Sequence, residues 1–477
     1  MDRVLDASIP YFRHFEDMTR IPHGSSNEME YSNYLVSWAK EHNLRYVQDE
    51  LYNVVIYKPA TPGYEGHPPV MLQGHMDMVC AKVPGSTHDF TKDPLDLYVE
   101  DGFLRARGTT LGGDDGVGVA YILALLEADG LAHPALECVF TVQEETGCAG
   151  AAALKKEYFQ ARRMIGLDDV GGGTSYVTSA GSQIAQFTRK CTWQALTAPA
   201  FTMEISGLLG GHSGVEIDKE RGNAIKLAFR ILYDLKKQGE VQLGEMEFGS
   251  VNNAIPNYGK ITFTCALPAG QMSAVLDESK ETILRELEFS DKGLTITLTP
   301  AQAGKVMSLT DSQEIIDFLR FLPDGMFHKS MRFPDLPTAS CNVGVLRTQD
   351  EGIYGETCAR GALMSYLYSM EEEHQLLCQL YHIQRTVTGL VAPFDYVEHS
   401  PIRDALAKTF HQVTGRELKP LFVHGGLEAG YFKALYPDMD IVTIGPLVLD
   451  EHMVTERLSL DSFQEIWKVL VALLASL

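Results

Sequence analysis

Apolar positions in residues 8–19 and 28–42 recur with helical spacing, which predicts two amphipathic helices. Residues 53–57 and 70–73 are short apolar runs, which predict strands. Residues 116–129 place Val117, Ala120, Leu123, Ala124 and Leu126 at helical intervals. Two more apolar runs, 135–142 and 163–167, predict strands that lead directly into acidic pairs. Strand–helix alternation of this kind indicates a sheet covered by helices. From 182 to about 390 the texture changes. Residues 201–206 and 260–266 alternate as half-exposed strands, and 294–298 reads as another. Residues 221–237, 273–288 and 313–322 read as helices, so this stretch predicts one or two α+β units. Afterwards the first pattern returns, with helices at 403–413 and 460–477 and strands at 421–423 and 441–445. The expected architecture is an α/β catalytic domain, a mixed sheet with helices on both faces, split by an inserted α+β domain. The boundaries fall at 1–186, 187–392 and 393–477.

A chain of 477 residues exceeds one ordinary domain, which agrees with that division. A net charge of -23 argues against nucleic-acid partners and anionic membrane surfaces. No apolar run reaches the roughly 18 residues of a membrane span. Met1-Asp2-Arg3-Val4 opens without a basic segment and apolar core, so no signal peptide is expected. Eight cysteines without a CxxC pair read as small buried hydrophobes in a reducing compartment. A cytoplasmic location is therefore expected.

The candidate chemistry lies at the ends of the apolar runs. His75 and Asp77 follow 70–74, and in a strand such i, i+2 residues share a face. Asp77 can then accept a hydrogen bond from the far ring nitrogen of His75 and fix its tautomer. Asp114 and Asp115 stand between glycines before a helix, where one of them can cap it. Glu144-Glu145 and Asp168 follow strands, and His452 follows the Gly445-Pro446 break. Ligands gather at the carboxyl ends of strands in such sheets. Imidazoles and carboxylates brought together there suit two divalent cations, with one carboxylate shared between them. Of the glutamate pair, one can bind a metal while the other takes a proton from water.

Gln73-Gly74-His75-Met76-Asp77-Met78-Val79 and Leu111-Gly112-Gly113-Asp114-Asp115-Gly116-Val117-Gly118 resemble the aminoacyl-histidine dipeptidases (peptidase D). These belong to the dimetal metallopeptidase clan of aminoacylases and carboxypeptidase G. Further similarity lies in Ile21-Pro22-His23-Gly24-Ser25, in 141–147, in Gly210-Gly211-His212-Ser213-Gly214, in Asn253-Ala254-Ile255-Pro256 and in Gly425-Gly426-Leu427-Glu428-Ala429-Gly430. The matches run in family order from residue 9 to 477.

The resemblance implies that His75 and Asp168 serve one metal, that Glu145 and His452 serve the other, and that Asp114 bridges them. It implies a cis peptide after Asp114, Glu144 as general base, and Asp77 as the residue that orients His75. His212, from an inserted lid and dimerisation domain, would stabilise the oxyanion, and Arg360 would hold a substrate carboxylate. The metals would be zinc, with cobalt or manganese also compatible, and the assembly a homodimer. The implied reaction is hydrolysis of dipeptides of the Xaa-His type, such as β-Ala-His. N-acyl amino-acid deacylation and aminotripeptidase action are the alternatives within the clan, and a non-catalytic metal-binding protein is the alternative outside it. Three departures from the pattern stand out: Asp115 where Asn is frequent, Met453-Val454-Thr455-Glu456 where Ser-Pro-Asp-Glu is commoner, and Asn252 where Arg is frequent.

Overall fold

Residues 70–75 and 136–141 are buried at every position, the mark of strands covered on both faces. A computed structural model of the protein describes residues 3–196, 198–301, 304–349 and 351–477. It divides into two compact units. Unit 1 comprises Met1–Thr178, Phe394–Phe422 and Leu427–Leu477; unit 2 comprises Ser179–Pro393 and Val423–Gly426.

Unit 1 is built on a six-stranded sheet of β1 (Arg45–Gln48), β2 (Val54–Lys58), β3 (Val70–His75), β4 (Leu136–Thr141), β5 (Arg163–Gly166) and β6 (Asp440–Thr443). The spatial order is β1-β2-β4-β3-β5-β6. β3 runs parallel to β4 and β5, and β6 runs parallel to β5, while β1 and β2 are antiparallel, so the sheet is mixed. Strand periodicity divides its side chains between two cores. Val54, Ile56, Val70, Leu72, Cys138 and Phe140 join the core under the long helices. Their neighbours Val55, Tyr57, Met71, Val139 and Met164 join a smaller core on the other face.

The helices of this unit are α1 (Pro10–Met18), α2 (Met29–Glu41), α3 (Gly113–Glu127), α4 (Ala149–Ala153), α5 (Pro401–Thr414), α6 (Ala429–Leu435) and α7 (Leu460–Ser476). α3 is apolar all round and buried from Gly116 to Leu126, which suits a helix wholly inside a core. Its regular part begins after Asp115, because Asp114 and Asp115 have non-helical backbone angles. The peptide between them is cis. The Asp115 carboxylate occupies the space that side chains at Gly74 and Gly118 would fill. A Cβ on either glycine would lie 2.5 Å from one of its oxygens.

Unit 2 is built on one large antiparallel sheet, with two short two-stranded sheets, Trp193–Ala195 with Lys305–Met307 and Gly211–His212 with Ala254–Ile255, beside it. The order of the large sheet is Thr295–Ala301, Ala200–Ser206, Gly259–Cys265, Val241–Phe248, Pro337–Gln349, Gly352–Gly361, Gly181–Lys190 and Gln384–Val391, with Gly325–Lys329 beside Pro337–Gln349. Helices Ala224–Lys236 and Leu309–Phe321 pack their apolar stripes on this sheet. Asn223 caps the first, accepting from the backbone of Ile225 and Lys226. The strand Gly181–Lys190 lies wholly within unit 2, so the chain passes between units at 178/179 and not at the 186/187 expected from sequence. The described residues contain no helix long and apolar enough to cross a membrane.

Candidate metal centre

Three adjacent parallel strands deliver their next residues to one place in unit 1. His75 ends β3 and is paired in register with Thr141 at the end of β4. Glu144 and Glu145 follow β4 through a turn in which Gln143 is left-handed. Asp168 follows β5. Asp114 comes from the loop that opens α3, and His452 from a loop in which it adopts a left-handed φ of 62°.

Asp114 sits between the two imidazoles. One oxygen lies 3.0 Å from His75 Nε2 and the other 3.3 Å from His452 Nε2. His452 Nε2 is also 3.1 Å from Glu145 Oε1. Three overlapping ligand groups result, each with its donor atoms within 4.8 Å of one another: His75, Asp114 and Asp168; Asp114, Glu145 and His452; and His75, Glu144 and Glu145. The donors are nitrogen and oxygen only, a set suited to zinc, cobalt or manganese.

The tautomer of His75 is set differently from the expectation. Its Nδ1 is 3.0 Å from the backbone carbonyl of Asp77, whereas the Asp77 carboxylate is 3.6 Å away. A carbonyl can only accept, so Nδ1 carries a proton and Nε2 is the ring nitrogen turned towards Asp114. The Asp77 carboxylate does other work. It accepts from Ser25 Oγ at 2.8 Å and from the backbone N–H groups of Glu144 and Glu145 at 3.0 and 3.3 Å. It thereby fixes the turn that presents the glutamate pair.

Charge balance in this cluster points to cations. Burial raises Glu144 to about 7, and Glu145, Asp114 and Asp77 add to the effect. Burial and Asp114 hold Asp168 well above the usual carboxylate range. His452 is raised to about 10 by its contacts with Asp114 and Glu145. Burial opposes the charged ring of His75, but Asp114, Asp168 and Glu144 outweigh it and hold the ring well above its ordinary value. Asp114, pinned between both rings, is held low despite its burial. Without metal, protons on the two imidazoles balance the carboxylates. Divalent cations at the same atoms would displace those protons and neutralise the acids.

Several supporting residues carry no signal of their own in the sequence. Glu456 is buried, and its carboxylate accepts from the backbone of Leu111 and Gly113 at 2.8 Å and of Gly112 at 3.2 Å. It ties the His452 loop to the Asp114 loop. The Met453-Val454-Thr455-Glu456 departure therefore keeps the anchoring carboxylate. Glu456→Ala leaves three buried N–H groups unpaired and should cost about 3 kcal/mol of stability. A thermal melt with a midpoint like that of the unaltered chain would refute this. Glu28 accepts from Ser26 and from Gln143, bracing the turn before Glu144. Glu428 accepts from Gln73 Nε2 and Thr141 Oγ1, both at 2.6 Å, directly behind the ligand strands. Burial and nearby Glu144 raise it to about 8. In the sequence it stands within the Gly425-Gly426-Leu427-Glu428-Ala429-Gly430 similarity, with no role of its own attached.

His212 and Arg360 belong to unit 2. His212 Nδ1 accepts from the backbone N–H groups of Gly214 and Val215, both at 3.2 Å. Its proton therefore resides on Nε2, which is left as a donor. Arg360 is 6% exposed, and among the described residues its guanidinium has no ion pair.

A model of peptidase family M20/M25/M40 matches residues 71–476. The chain is 32% identical over 474 residues to the cytosol non-specific dipeptidase of Escherichia coli (strain K12), covering 98% of this chain and 97% of the relative. The crystal structure of aminoacylhistidine dipeptidase from Vibrio alginolyticus superimposes with a TM-score of 0.89 at 30% identity. That match covers 100% of this chain and 98% of the other. The M20 family metallo-carboxypeptidase Sso-CP2 from Sulfolobus solfataricus shares the fold alone, with a TM-score of 0.54 at 14% identity over 98% of both chains.

Proposed function

This chain belongs to peptidase family M20/M25/M40, and on that premise we propose that it is a dinuclear zinc dipeptidase acting on unblocked dipeptides, Xaa-His among them. The observation that carries the reading is Asp114, which offers one oxygen to each of two imidazoles. A carboxylate so placed suits a bridge between two cations. His75 and Asp168 would hold one cation, and Glu145 and His452 the other.

Divalent cations held by these residues would supply Lewis acidity and make water at the site easier to deprotonate. Glu144 would accept a proton from the attacking water at its carboxylate and return it to the leaving amine. Asp77 positions Glu144 through the backbone and His75 through its carbonyl. His212 donates from Nε2 to the carbonyl oxygen as that oxygen gains charge. Arg360, a buried cation without a counter-ion among the described residues, takes the substrate's terminal carboxylate. The names of the Escherichia coli and Vibrio alginolyticus relatives support dipeptides as substrates, and the former supports a cytoplasmic location. Unit 2 serves as lid and as the contact of a homodimer.

A substrate panel tests the reading. Histidine should be released from β-Ala-His, and unblocked dipeptides should be cleaved in preference to tripeptides. N-acetyl amino acids should yield no acetate. Release of acetate with the dipeptides left intact would make the chain a deacylase instead.

A further inference from the structure

Among the described residues, Arg360 is not the only side-chain donor in its part of unit 2 without a protein partner. In the antiparallel register Ser340, Arg360, Ser182 and Val391 are direct cross-strand partners on four neighbouring strands. Such partners share one face, with Cβ atoms about 5 Å apart. Ser340 is engaged, its hydroxyl lying 2.7 Å from His424 Nε2. Ser182, on the other side of Arg360, is 9% exposed, and among the described residues nothing hydrogen-bonds its hydroxyl. Arg360 Nε is buried and unpartnered as well.

The loop Val423–Gly426 crosses this row. His424 stands on Ser340, and a Cβ at Gly426 would come within 3.9 Å of Val391 Cγ1 and of the Ala180 carbonyl. The other titratable groups here are His212 and His424. Burial and the Arg360 charge keep both rings low, and so neutral. Glu216 accepts from the backbone N–H of His212 and is paired with Lys219 and Arg221. In a chain of net charge -23, Arg360 and Ser182 set a cation without an ion pair among the described residues beside a free hydroxyl donor. A buried guanidinium without a partner is costly unless an anion joins it.

We propose that Ser182 is a specificity-determining residue for the substrate's terminal carboxylate, its hydroxyl donating to one oxygen while the Arg360 guanidinium holds the group. This rests on the reading of Arg360 given above. Ser340, held by His424, closes the opposite side, so the carboxylate is received between Arg360 and Ser182.

The test compares β-Ala-His with its C-terminal amide, each as substrate or competitive inhibitor, on the full metal-loaded chain. Ser182→Ala should raise KM for the free acid about tenfold, the weight of one hydrogen bond to a charged group. It should leave kcat, the amide and the thermal midpoint unchanged, and Ser182→Thr should recover most of the loss. An unchanged KM in Ser182→Ala, or an equal loss on acid and amide, would overturn the proposal. Arg360→Met separates the two levels. If it shifts the acid-to-amide preference while Ser182→Ala does not, the Ser182 proposal alone fails. If Arg360→Met itself leaves the preference intact, the underlying reading of Arg360 fails.

Discussion

Glu144→Gln is expected to leave the chain folded and metal-loaded while lowering kcat about 10³-fold, within the range general bases contribute. The amide keeps the size of the side chain and removes the proton-accepting oxygen. The backbone N–H of Glu144 still donates to Asp77, so the turn should hold its shape. KM should move little, because the residue acts on the proton and not on the substrate's binding groups. The geometry allows a competing role, since Glu144 also falls within 4.8 Å of donors on His75 and Glu145. Were it a ligand, the same substitution would lower metal content along with kcat. Parallel measurements of bound metal and of turnover separate the two roles, and undiminished turnover would remove Glu144 from the chemistry altogether.

Chelation is expected to abolish turnover, and zinc, cobalt or manganese to restore it. It should also lower the melting transition of unit 1, which holds every proposed ligand, and leave that of unit 2 in place. At metal concentrations about a thousandfold above Kd, binding stabilises by roughly 4 kcal/mol, which shifts the midpoint on the order of 10 °C. The pH dependence has a definite sign. In the metal-free site His452 is raised to about 10, and His75 stands well above its ordinary value. Below those values each imidazole must lose a proton to bind metal, so protons compete and affinity falls as pH falls. A chelator should therefore strip the site faster at pH 6 than at pH 8. Equal rates at the two values, or a melt indifferent to chelation, would contradict this picture.

The strands that carry the ligands were legible because of where they lie. β3 and β4 are covered on both faces, so each is a mostly apolar run that leads to the functional residues, His75 at the end of β3 and Glu144 shortly after β4. α3 was legible for the same reason. The stretch 325–391 was not. Gln384–Val391 is an edge strand with few buried side chains and no clean alternation. The helix Met364–Leu380 buries only Leu367, Met370, His374 and Cys378, a stripe too thin to stand out. The hairpin of Pro337–Gln349 with Gly352–Gly361 carries a bulge that breaks its period.

Within the site, residue types at strand ends indicated the ligand candidates, but not the partners of Asp77. Whether its carbonyl or its carboxylate meets His75 depends on how the chain turns after β3, which spacing does not encode. Glu456 and Glu428 act across more than 280 residues of sequence, on Leu111 and Thr141. Such pairings follow from the completed fold and leave no local pattern. Ser182 belongs to the same class, since only the strand register sets it beside Arg360.

Asp114 is expected to join two cations in one centre. Calorimetric titration of the metal-free chain with zinc, paired with direct metal counting on the same samples, tests it. Two ions per chain are expected, with turnover following the occupied centre, and Asp114→Ala should lose tight binding at both positions. A single ion in the unaltered chain, or two retained tightly by Asp114→Ala, would contradict it.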